Sequence, residues 1–224
     1  MKQFFKNIKF IRRIYILINR SFFFKPWPTK PLEFWIILNL ILIKTKPDSI
    51  LELGSGRSTY HLYEYVIKYK KKLESVEHNW TYFKIIKKGL SHIFGKNYDY
   101  INFVPIKHDW YDYSKISTKF DFLFIDGPNK NSFLKDNNSI RSSKKAIKFL
   151  NNKVNKCKII IIDDTHKEDV INLVNNLEIK LQYSELKYYR TSKLRIYYQI
   201  KYKKFISNTL KQIFKETDSK VLKI

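Results

Sequence analysis

The stretch Ile50-Leu-Glu-Leu-Gly-Ser-Gly-Arg-Ser-Thr59 decides the fold that the sequence predicts. The residues from Ser49 to Leu53 are mostly apolar and end at a glycine, which is the pattern of a strand buried in a parallel sheet. Gly54 and Gly56 lack a Cβ atom, so they can adopt positive φ and allow a ligand to lie against the backbone. The following residues offer a helix start whose free N–H groups favour an acceptor. The stretch therefore predicts a strand, a tight turn and a site for a nucleotide-like ligand.

A second predicted strand, Leu73 to Glu77, ends on an acidic residue 23 positions after Gly54. This is about the offset at which a βαβ unit places a carboxylate that accepts hydrogen bonds from ribose hydroxyls. Dinucleotide-binding loops, however, have Gly or Ala at the sixth position, where this chain has Thr59. Those loops also lack an acid two residues before the first glycine, which is Glu52 here. The pattern therefore differs from a dinucleotide site.

Together with two later strand ends, these features resemble the class I S-adenosylmethionine-dependent methyltransferases. That family has an acid-x-Gly-x-Gly loop and an acid that ends its second strand. The later strand ends are Phe122-Leu-Phe-Ile-Asp126-Gly-Pro and Ile159-Ile-Ile-Ile-Asp163-Asp164-Thr-His166, and the resemblance covers about residues 47 to 200. It implies an α/β, Rossmann-like fold: a mostly parallel seven-stranded sheet with a C-terminal antiparallel hairpin and helices on both faces.

The resemblance also implies that S-adenosylmethionine is the cofactor. In that scheme Glu52 meets the methionine ammonium group, Glu77 takes the ribose hydroxyls, and His78 follows that contact. Asp109 and Trp110 border the adenine, one by a hydrogen bond and one by its ring face. Asp109 would alternatively be a helix cap or turn residue. The loop residues implied to shape the cofactor pocket are Gly54, Ser55 and Gly56.

Three carboxylates, those of Asp126, Asp163 and Asp164, are expected to meet at the ends of the fourth and fifth strands. Acids in one cleft repel each other unless a cation or a proton offsets them. Oxygen ligands suit Mg²⁺, and the chain resembles the metal-dependent O-methyltransferases at this point. The three acids are therefore a predicted metal site. Alternatively, Asp163 or Asp164 caps the following helix and Asp126 belongs to a turn.

In that scheme the ion holds a substrate hydroxyl, lowers its pKa and aims its oxygen at the methyl group. Asp126 and His166 are the candidate catalytic residues. His166, or alternatively Lys130, would remove the proton of the hydroxyl.

The composition is that of a packed protein. The 224 residues are 44% hydrophobic and 17% aromatic, which allows one domain with a full core plus extensions. The single cysteine, Cys157, precedes an apolar strand and cannot form an internal disulfide. A reducing, cytoplasmic location is therefore expected.

The formal net charge of +24 is concentrated at the two ends of the chain. Residues 1–30 hold eight Lys or Arg and no acid, and residues 201–224 hold seven against two acids. A basic surface attracts nucleic acid or an anionic membrane, whereas a Lys-rich composition bias would raise the charge without a partner. Arg141 and the Lys144-Lys145 pair would either orient an acidic substrate or form a solvated helix face.

Three segments are expected. Residues 1–45 form an N-terminal helical extension, residues 46–201 the methyltransferase domain, and residues 202–224 a basic tail. Residues 1–24 have the spacing of a basic amphipathic helix, which would lie on an anionic membrane or pack on its own domain. The apolar run from Leu32 to Ile43 is too short to span a bilayer and predicts a buried helix.

The sequence thus predicts a cytoplasmic S-adenosylmethionine-dependent methyltransferase that acts on an oxygen of a small molecule or sugar. Enzymes that methylate base amines have Pro-Pro and an aromatic residue at the point where Asp126 is followed by Gly, Pro and Asn. The platform for a flipped base is missing, which weakens amino-directed nucleic-acid methylation. Two alternatives stay open: a nucleic-acid methyltransferase or binding protein, and a non-catalytic membrane-surface or interaction protein on the same fold.

Overall fold

Strands and helices alternate along most of the chain, as expected of parallel strands joined by crossovers. The structure, a computed structural model, describes residues 32–95, 100–107, 110–116, 119–128, 142–188 and 192–216. The helices are α1 (Leu32–Thr45), α2 (Arg57–Tyr69), α3 (Trp80–Phe94), α4 (Lys144–Val154), α5 (Glu168–Asn176) and α6 (Lys203–Glu216). The strands are β1 (Ser49–Leu53), β2 (Lys72–Glu77), β3 (Ile101–Phe103), β4 (Ile106–Lys107), β5 (Trp110–Tyr111), β6 (Phe122–Ile125), β7 (Ile159–Ile162), β8 (Gln182–Tyr188) and β9 (Ser192–Tyr198).

Seven of these strands form one sheet in the order β3-β2-β1-β6-β7-β9-β8. The first five are parallel, and β9 runs antiparallel to both β7 and β8. The predicted sheet with its C-terminal antiparallel hairpin is therefore confirmed. The chain moves outward from β1 to β3 and then returns to the other side of β1 with β6. This reversal creates a topological switch point between β1 and β6, where ligands bind in open α/β sheets.

The register of the sheet brings the predicted functional segments to one edge. Leu53, the last residue of β1, is paired with Val76 of β2 and with Ile125 of β6. Backbone hydrogen bonds continue past the strand ends, from Gly54 N to Val76 O (2.9 Å) and from Asp163 N to Ile125 O (2.9 Å). The loops after β1, β2, β6 and β7 consequently share the carboxyl edge of the sheet.

Helices cover both faces of the sheet. On one face, buried residues of α1, α2, α3 and α6 share a core cluster with β1, β6 and β7. On the other face, α4 and α5 form a second cluster with the same central strands. Because β6 and β7 are buried along their whole length, both consist only of apolar residues. Among the described residues, no helix is both long and apolar enough to span a membrane.

Two elements have ends that the structure defines. The third strand ends at Phe103, and Ile106 pairs with Tyr111 in a separate β4–β5 hairpin. Helix α4 begins at Lys144, where the Ser143 hydroxyl accepts a hydrogen bond from Ala146 N (3.1 Å). A serine N-cap explains this start, because it satisfies a helix N–H that has no partner within the helix.

The segment expected to be a basic tail contains a helix, α6, that packs against α1. Ile206, Leu210 and Ile213 on α6 are each buried in the core. Periodic apolar residues among the lysines therefore form the face by which α6 joins the domain. The predicted amphipathic segment at residues 1–24 lies outside the described residues.

An ion-pair network joins the amino ends of the central strands. The Asp121 carboxylate accepts hydrogen bonds from Asp48 N and Ser49 N, both at 3.1 Å, and pairs with Lys158 Nζ at 2.5 Å. The Lys158 ammonium also lies 3.5 Å from Asp48 Oδ2, while Lys71 pairs with Asp48 at the exposed side. Asp121 thus holds the starts of β1, β6 and β7 together.

We expect Asp121→Ala to lower the free energy of unfolding by about 1–3 kcal/mol, because two backbone donors and one ammonium lose their shared acceptor. Lys71→Met is the matched control, since it removes only an ion pair at the solvent-exposed carboxylate of Asp48 and should change the free energy of unfolding much less. Urea denaturation of both variants measures the difference. Equal losses of unfolding free energy in the two variants would contradict the role of Asp121 in holding the strand starts together.

Candidate functional site

The loop after β1 touches the loop after β6 backbone to backbone. A Cβ atom on Gly54 would lie 2.5 Å from Gly127 N, and one on Gly127 would lie 2.7 Å from the Gly54 Cα. Gly54 also has φ of +93°, which strongly favours glycine. Two hydrogen bonds to Leu53 O, from Asp126 N (2.9 Å) and Gly127 N (2.7 Å), fix the approach. Gly54 is therefore required by the fold at the switch point, in addition to any role in binding.

Gly56 is a glycine for a different reason. Its φ of −172° is extended backbone that any residue can adopt, and in the described part of the chain a Cβ added there would meet nothing within 4 Å. Neither conformation nor protein packing demands glycine at this position. The open space beside Gly56, at the start of α2, leaves room for a ligand to lie against the backbone.

Glu52 lies fully buried behind this loop and is held by two hydroxyl groups. Its Oε2 atom accepts hydrogen bonds from Thr59 Oγ1 (2.7 Å) and Ser75 Oγ (2.5 Å), and Thr59 Oγ1 in turn accepts from Gly56 N (2.8 Å). The Thr59 hydroxyl therefore links the loop to Glu52. The Gly or Ala that dinucleotide-binding loops have at this position has no hydroxyl to make this link. Sequence reasoning missed Ser75, whose signal is its position two residues before Glu77 on the same strand.

The other carboxylate oxygen, Glu52 Oε1, has no hydrogen-bond partner among the described residues although it is buried. Buried polar atoms are nearly always satisfied in native proteins, so this orphaned acceptor indicates a missing donor. A cationic donor such as an ammonium group would complement it best, because charge-assisted hydrogen bonds are the stronger ones.

The environment of Glu52 also changes its protonation. Burial raises the pKa of the Glu52 carboxyl to about 7, and the nearby charge of Glu77 adds to the rise. Hydroxyl groups of the neighbouring Ser58, Ser75 and Thr59 oppose it. Near neutral pH the carboxyl is therefore partly protonated, and a cation placed beside Oε1 would favour its ionised form.

Glu77, at the end of β2, links the first loop to the start of α3. Its Oε1 atom accepts a hydrogen bond from Asn79 N (2.7 Å), and its Oε2 atom accepts from Ser55 Oγ (3.1 Å). The His78 Nδ1 atom lies 3.2 Å from Glu77 Oε1. Ser55, Glu77 and His78 thus lie close together, and their contact with a cofactor stays a prediction. Each carboxylate oxygen keeps a further lone pair, with which a ligand hydroxyl can be bound.

Trp110, one of the two predicted adenine contacts, is not open in the structure. Trp110 on β5 is fully buried in the second core cluster and stands edge-on to Tyr111, with ring centroids 5.2 Å apart. Its Nε1 atom has no hydrogen-bond partner within the described ranges. Asp109 lies outside the described residues. The contact of Trp110 with an adenine therefore stays a prediction.

The three acids predicted to bind Mg²⁺ are not arranged as a metal site. In the described part of the chain, no group of three or more His, Cys, Asp or Glu side chains is placed to hold a metal ion. Asp164 has φ of +59° and its carboxylate pairs with Lys167 Nζ at 2.6 Å. Asp163 is buried and Asp126 is half-buried. The residues present therefore do not fit the predicted ion, because the left-handed turn at Asp164 directs its carboxylate to a lysine.

The alternative interpretation, that Asp163 or Asp164 caps the next helix, is also wrong. Helix α5 begins at Glu168, and its N-cap residue is Lys167, whose side chain makes no capping hydrogen bond. Asp164 instead belongs to a turn, since its carbonyl accepts a hydrogen bond from Lys167 N (2.8 Å).

His166 is held by the hairpin that closes the sheet. Its Nδ1 atom accepts a hydrogen bond from Lys193 N at 3.3 Å. The ring therefore takes the tautomer with its proton on Nε2, which is a donor and not a base. This contact disfavours the predicted general-base role of His166. The alternative base, Lys130, and the predicted substrate residue Arg141 lie outside the described residues.

We expect Gly54→Ala to lower the free energy of unfolding by about 2–4 kcal/mol, because the new Cβ would overlap the Gly127 backbone at a positive φ. Gly56→Ala is the matched control, and it should cost less than about 1 kcal/mol because its Cβ enters open space. Thermal and urea denaturation of the two variants test this contrast. Comparable losses at both positions would contradict the backbone contact.

Comparison with known proteins finds similarity in structure only. No protein-family model and no curated protein matches the sequence. The SAH-bound methyltransferase PaMTH1 of Podospora anserina is 13% identical, with a TM-score of 0.54 over 88% of this chain and 87% of that chain. The O-methyltransferase from Bacillus cereus in complex with SAH is 11% identical, with a TM-score of 0.52 over 87% and 91%.

The catalytic domain of human METTL16 in complex with MAT2A 3'UTR hairpin 6 is similar as well, at 15% identity and a TM-score of 0.52. It matches over 77% of this chain and 72% of that chain. Identities this low concern the fold and not the reaction. The matches extend over most of this chain at TM-scores above 0.5, and this chain has the Rossmann-like fold of the class I S-adenosylmethionine-dependent methyltransferases.

Proposed function

We propose that this protein transfers a methyl group from S-adenosylmethionine to an oxygen atom of a small molecule or sugar. The observation that carries the proposal is the orphaned, buried Oε1 atom of Glu52 behind an open glycine loop, at the switch point of this fold. Two solved structures of the same fold contain SAH, the demethylated form of that cofactor. A buried acceptor is matched by the ammonium group that both forms of the cofactor carry.

The residues present fit this cofactor group by group. Glu52 would bind the methionine ammonium through Oε1, and Glu77 would accept hydrogen bonds from the ribose hydroxyls. Gly56 would allow the cofactor to lie against the start of α2. When bound, the cofactor supplies a methyl group on a positively charged sulfur. The contribution of these residues is to position that group and to exclude competing orientations.

The acceptor is proposed to be an oxygen because of the loop after β6. After Asp126, the residues Gly127, Pro128 and Asn129 stand where enzymes that methylate base amines have Pro-Pro and an aromatic residue. Gly127 is held against Gly54, so Asp126 follows β6 directly at the switch point. We propose that Asp126 orients the acceptor by accepting a hydrogen bond from its hydroxyl group. No step through a metal ion is proposed.

Nucleic acid is the second candidate acceptor. The net charge of +24 favours an anionic partner, and METTL16 was solved with a 3'UTR hairpin. The cytoplasmic location is part of the proposal, in keeping with the single, buried cysteine. A peripheral membrane contact would involve residues 1–24, which lie outside the described residues.

We expect calorimetric titration to show binding of both S-adenosylmethionine and S-adenosylhomocysteine. Glu52→Gln should weaken both by about 10- to 100-fold, because the amide keeps the hydrogen bonds from Thr59 and Ser75 but loses the charge that attracts the ammonium. Glu178→Gln, at an exposed position, is the matched control and should bind like the wild type. Unchanged affinity in Glu52→Gln, or no binding by the folded wild type, would refute the site.

The raised pKa of Glu52 predicts a pH dependence of binding. Below about pH 7 the carboxyl of Glu52 is protonated in the unliganded protein, so binding of an ammonium group must release that proton. The affinity should therefore fall by up to about tenfold for each unit by which the pH is lowered. Between about pH 7 and 7.5 affinity should level off. Glu52→Gln should show no such slope. Titrations in buffers of different ionisation enthalpy measure the proton release, and a wild-type profile as flat as that of the variant would contradict the prediction.

A further inference from the structure

An exposed aromatic cluster lies beside the proposed cofactor site. Trp80, the first residue of α3, is 51% exposed. Its ring stacks on Phe83, with centroids 5.2 Å apart and planes at 18°, and stands edge-on to Phe103 at 4.9 Å. Large exposed aromatic groups that are held in a fixed orientation indicate a binding surface more often than scattered single residues do.

Two lysines border the same rings. The Lys84 ammonium lies 4.8 Å from the centre of the Trp80 ring, and the Lys87 ammonium lies 5.6 Å from the centre of the Phe83 ring. Both lysines are exposed, and α3 contains no acidic residue. We call Trp80, Phe83, Lys84, Lys87 and Phe103 the aromatic–lysine surface. It combines exposed ring area with positive charge that no acid on its own helix offsets.

The register of the sheet places this surface next to the candidate site. Phe103 pairs with Glu77 across β3 and β2, at the same carboxyl edge. Asn79, the N-cap of α3, donates its backbone N–H to Glu77 Oε1 and precedes Trp80 directly. A partner bound to the aromatic–lysine surface would therefore lie beside the acid proposed to hold the ribose.

We propose that the aromatic–lysine surface binds a single-stranded nucleic acid. Bases would stack on the exposed part of the Trp80 ring, and the backbone phosphates would pair with Lys84 and Lys87. Alternating aromatic and cationic groups are how sequence-tolerant single-strand binding sites are built, because every base offers a ring face and every nucleotide a negative charge.

An anionic membrane fits the same surface less well. A helix that lies in a membrane interface must turn its apolar face to the lipid. In α3 that face, with Ile86, Gly89 and Leu90, is buried in the protein. The exposed aromatic area is confined to the first turn, where Trp80 is fixed against Phe83 and Phe103. Charge complementarity combined with ring stacking therefore favours a nucleic acid.

Fluorescence anisotropy with a labelled single strand of about 12 nucleotides, as RNA and as DNA, tests the proposal across about 50 to 200 mM salt. Trp80→Ala should weaken binding about 5- to 100-fold at every salt concentration, because one stacking contact is lost. Trp80→Phe should retain most of the affinity. The double variant Lys84→Gln/Lys87→Gln should instead reduce the slope of log affinity against log salt by about 1, since fewer counterions are released.

Matched controls lie elsewhere on the sheet and on α6. Tyr183 on β8 is 53% exposed and has Arg195 5.1 Å from its ring centre, so Tyr183→Ala removes a comparable ring beside a cation. Lys203→Gln/Lys204→Gln removes the same amount of charge. Both controls should bind like the wild type. Thermal denaturation and binding of S-adenosylhomocysteine establish that each variant is folded.

Three outcomes would overturn the proposal. The first is equal binding by Trp80→Ala and Tyr183→Ala, which would show that the net charge alone attracts the strand. The second is failure of the wild type to bind either strand. The third is sedimentation with anionic vesicles that depends on Trp80 while strand binding does not, which would assign the surface to a membrane. Because strand binding is measured without cofactor, its failure is distinct from failure of the proposed methyl transfer.

Discussion

The backbone contact between Gly54 and Gly127 is the constraint on which the candidate site depends. It brings the loop after β1 against the loop after β6, with no space for a side chain on either residue. Leu53 O accepts hydrogen bonds from both Asp126 N and Gly127 N, so the two loops cannot separate without exposing buried donors. The glycine loop is thereby held rigidly at the switch point of the sheet, where the fold places its ligands.

Around this contact, side chains connect the first two strands to the helices that follow them. Thr59 and Ser75 hold the buried Glu52, while Ser55 and Asn79 hold Glu77. The result is a local concentration of carboxylates inside a protein whose net charge is +24. Because the acids are buried and the lysines are exposed, a cationic ligand group is favoured at the acids and an anionic partner is favoured at the lysines.

At the carboxyl edge of the sheet, the residues that follow β7 join the β8–β9 hairpin to the sheet. Thr165 N donates to Lys193 O (2.9 Å), and His166 accepts from Lys193 N. Asp164 turns the chain toward α5 and pairs with Lys167. His166, which looks catalytic in sequence, is therefore engaged in holding β9 against the end of β7, and Asp164 is engaged in a turn. Polar residues at a strand end satisfy backbone groups as readily as they bind ligands.

Local sequence determined most strands and most helices of this protein, because apolar runs, glycines and alternation act over short distances. It also placed Glu52, Gly54 and Glu77 at or next to the ends of β1 and β2, and their roles in binding stay predictions. It did not distinguish Gly54, needed for packing on Gly127, from Gly56, which faces open space. Nor did it show that His166 contacts Lys193. Only the tertiary structure decided these points, because each depends on contacts or space that no single local segment specifies.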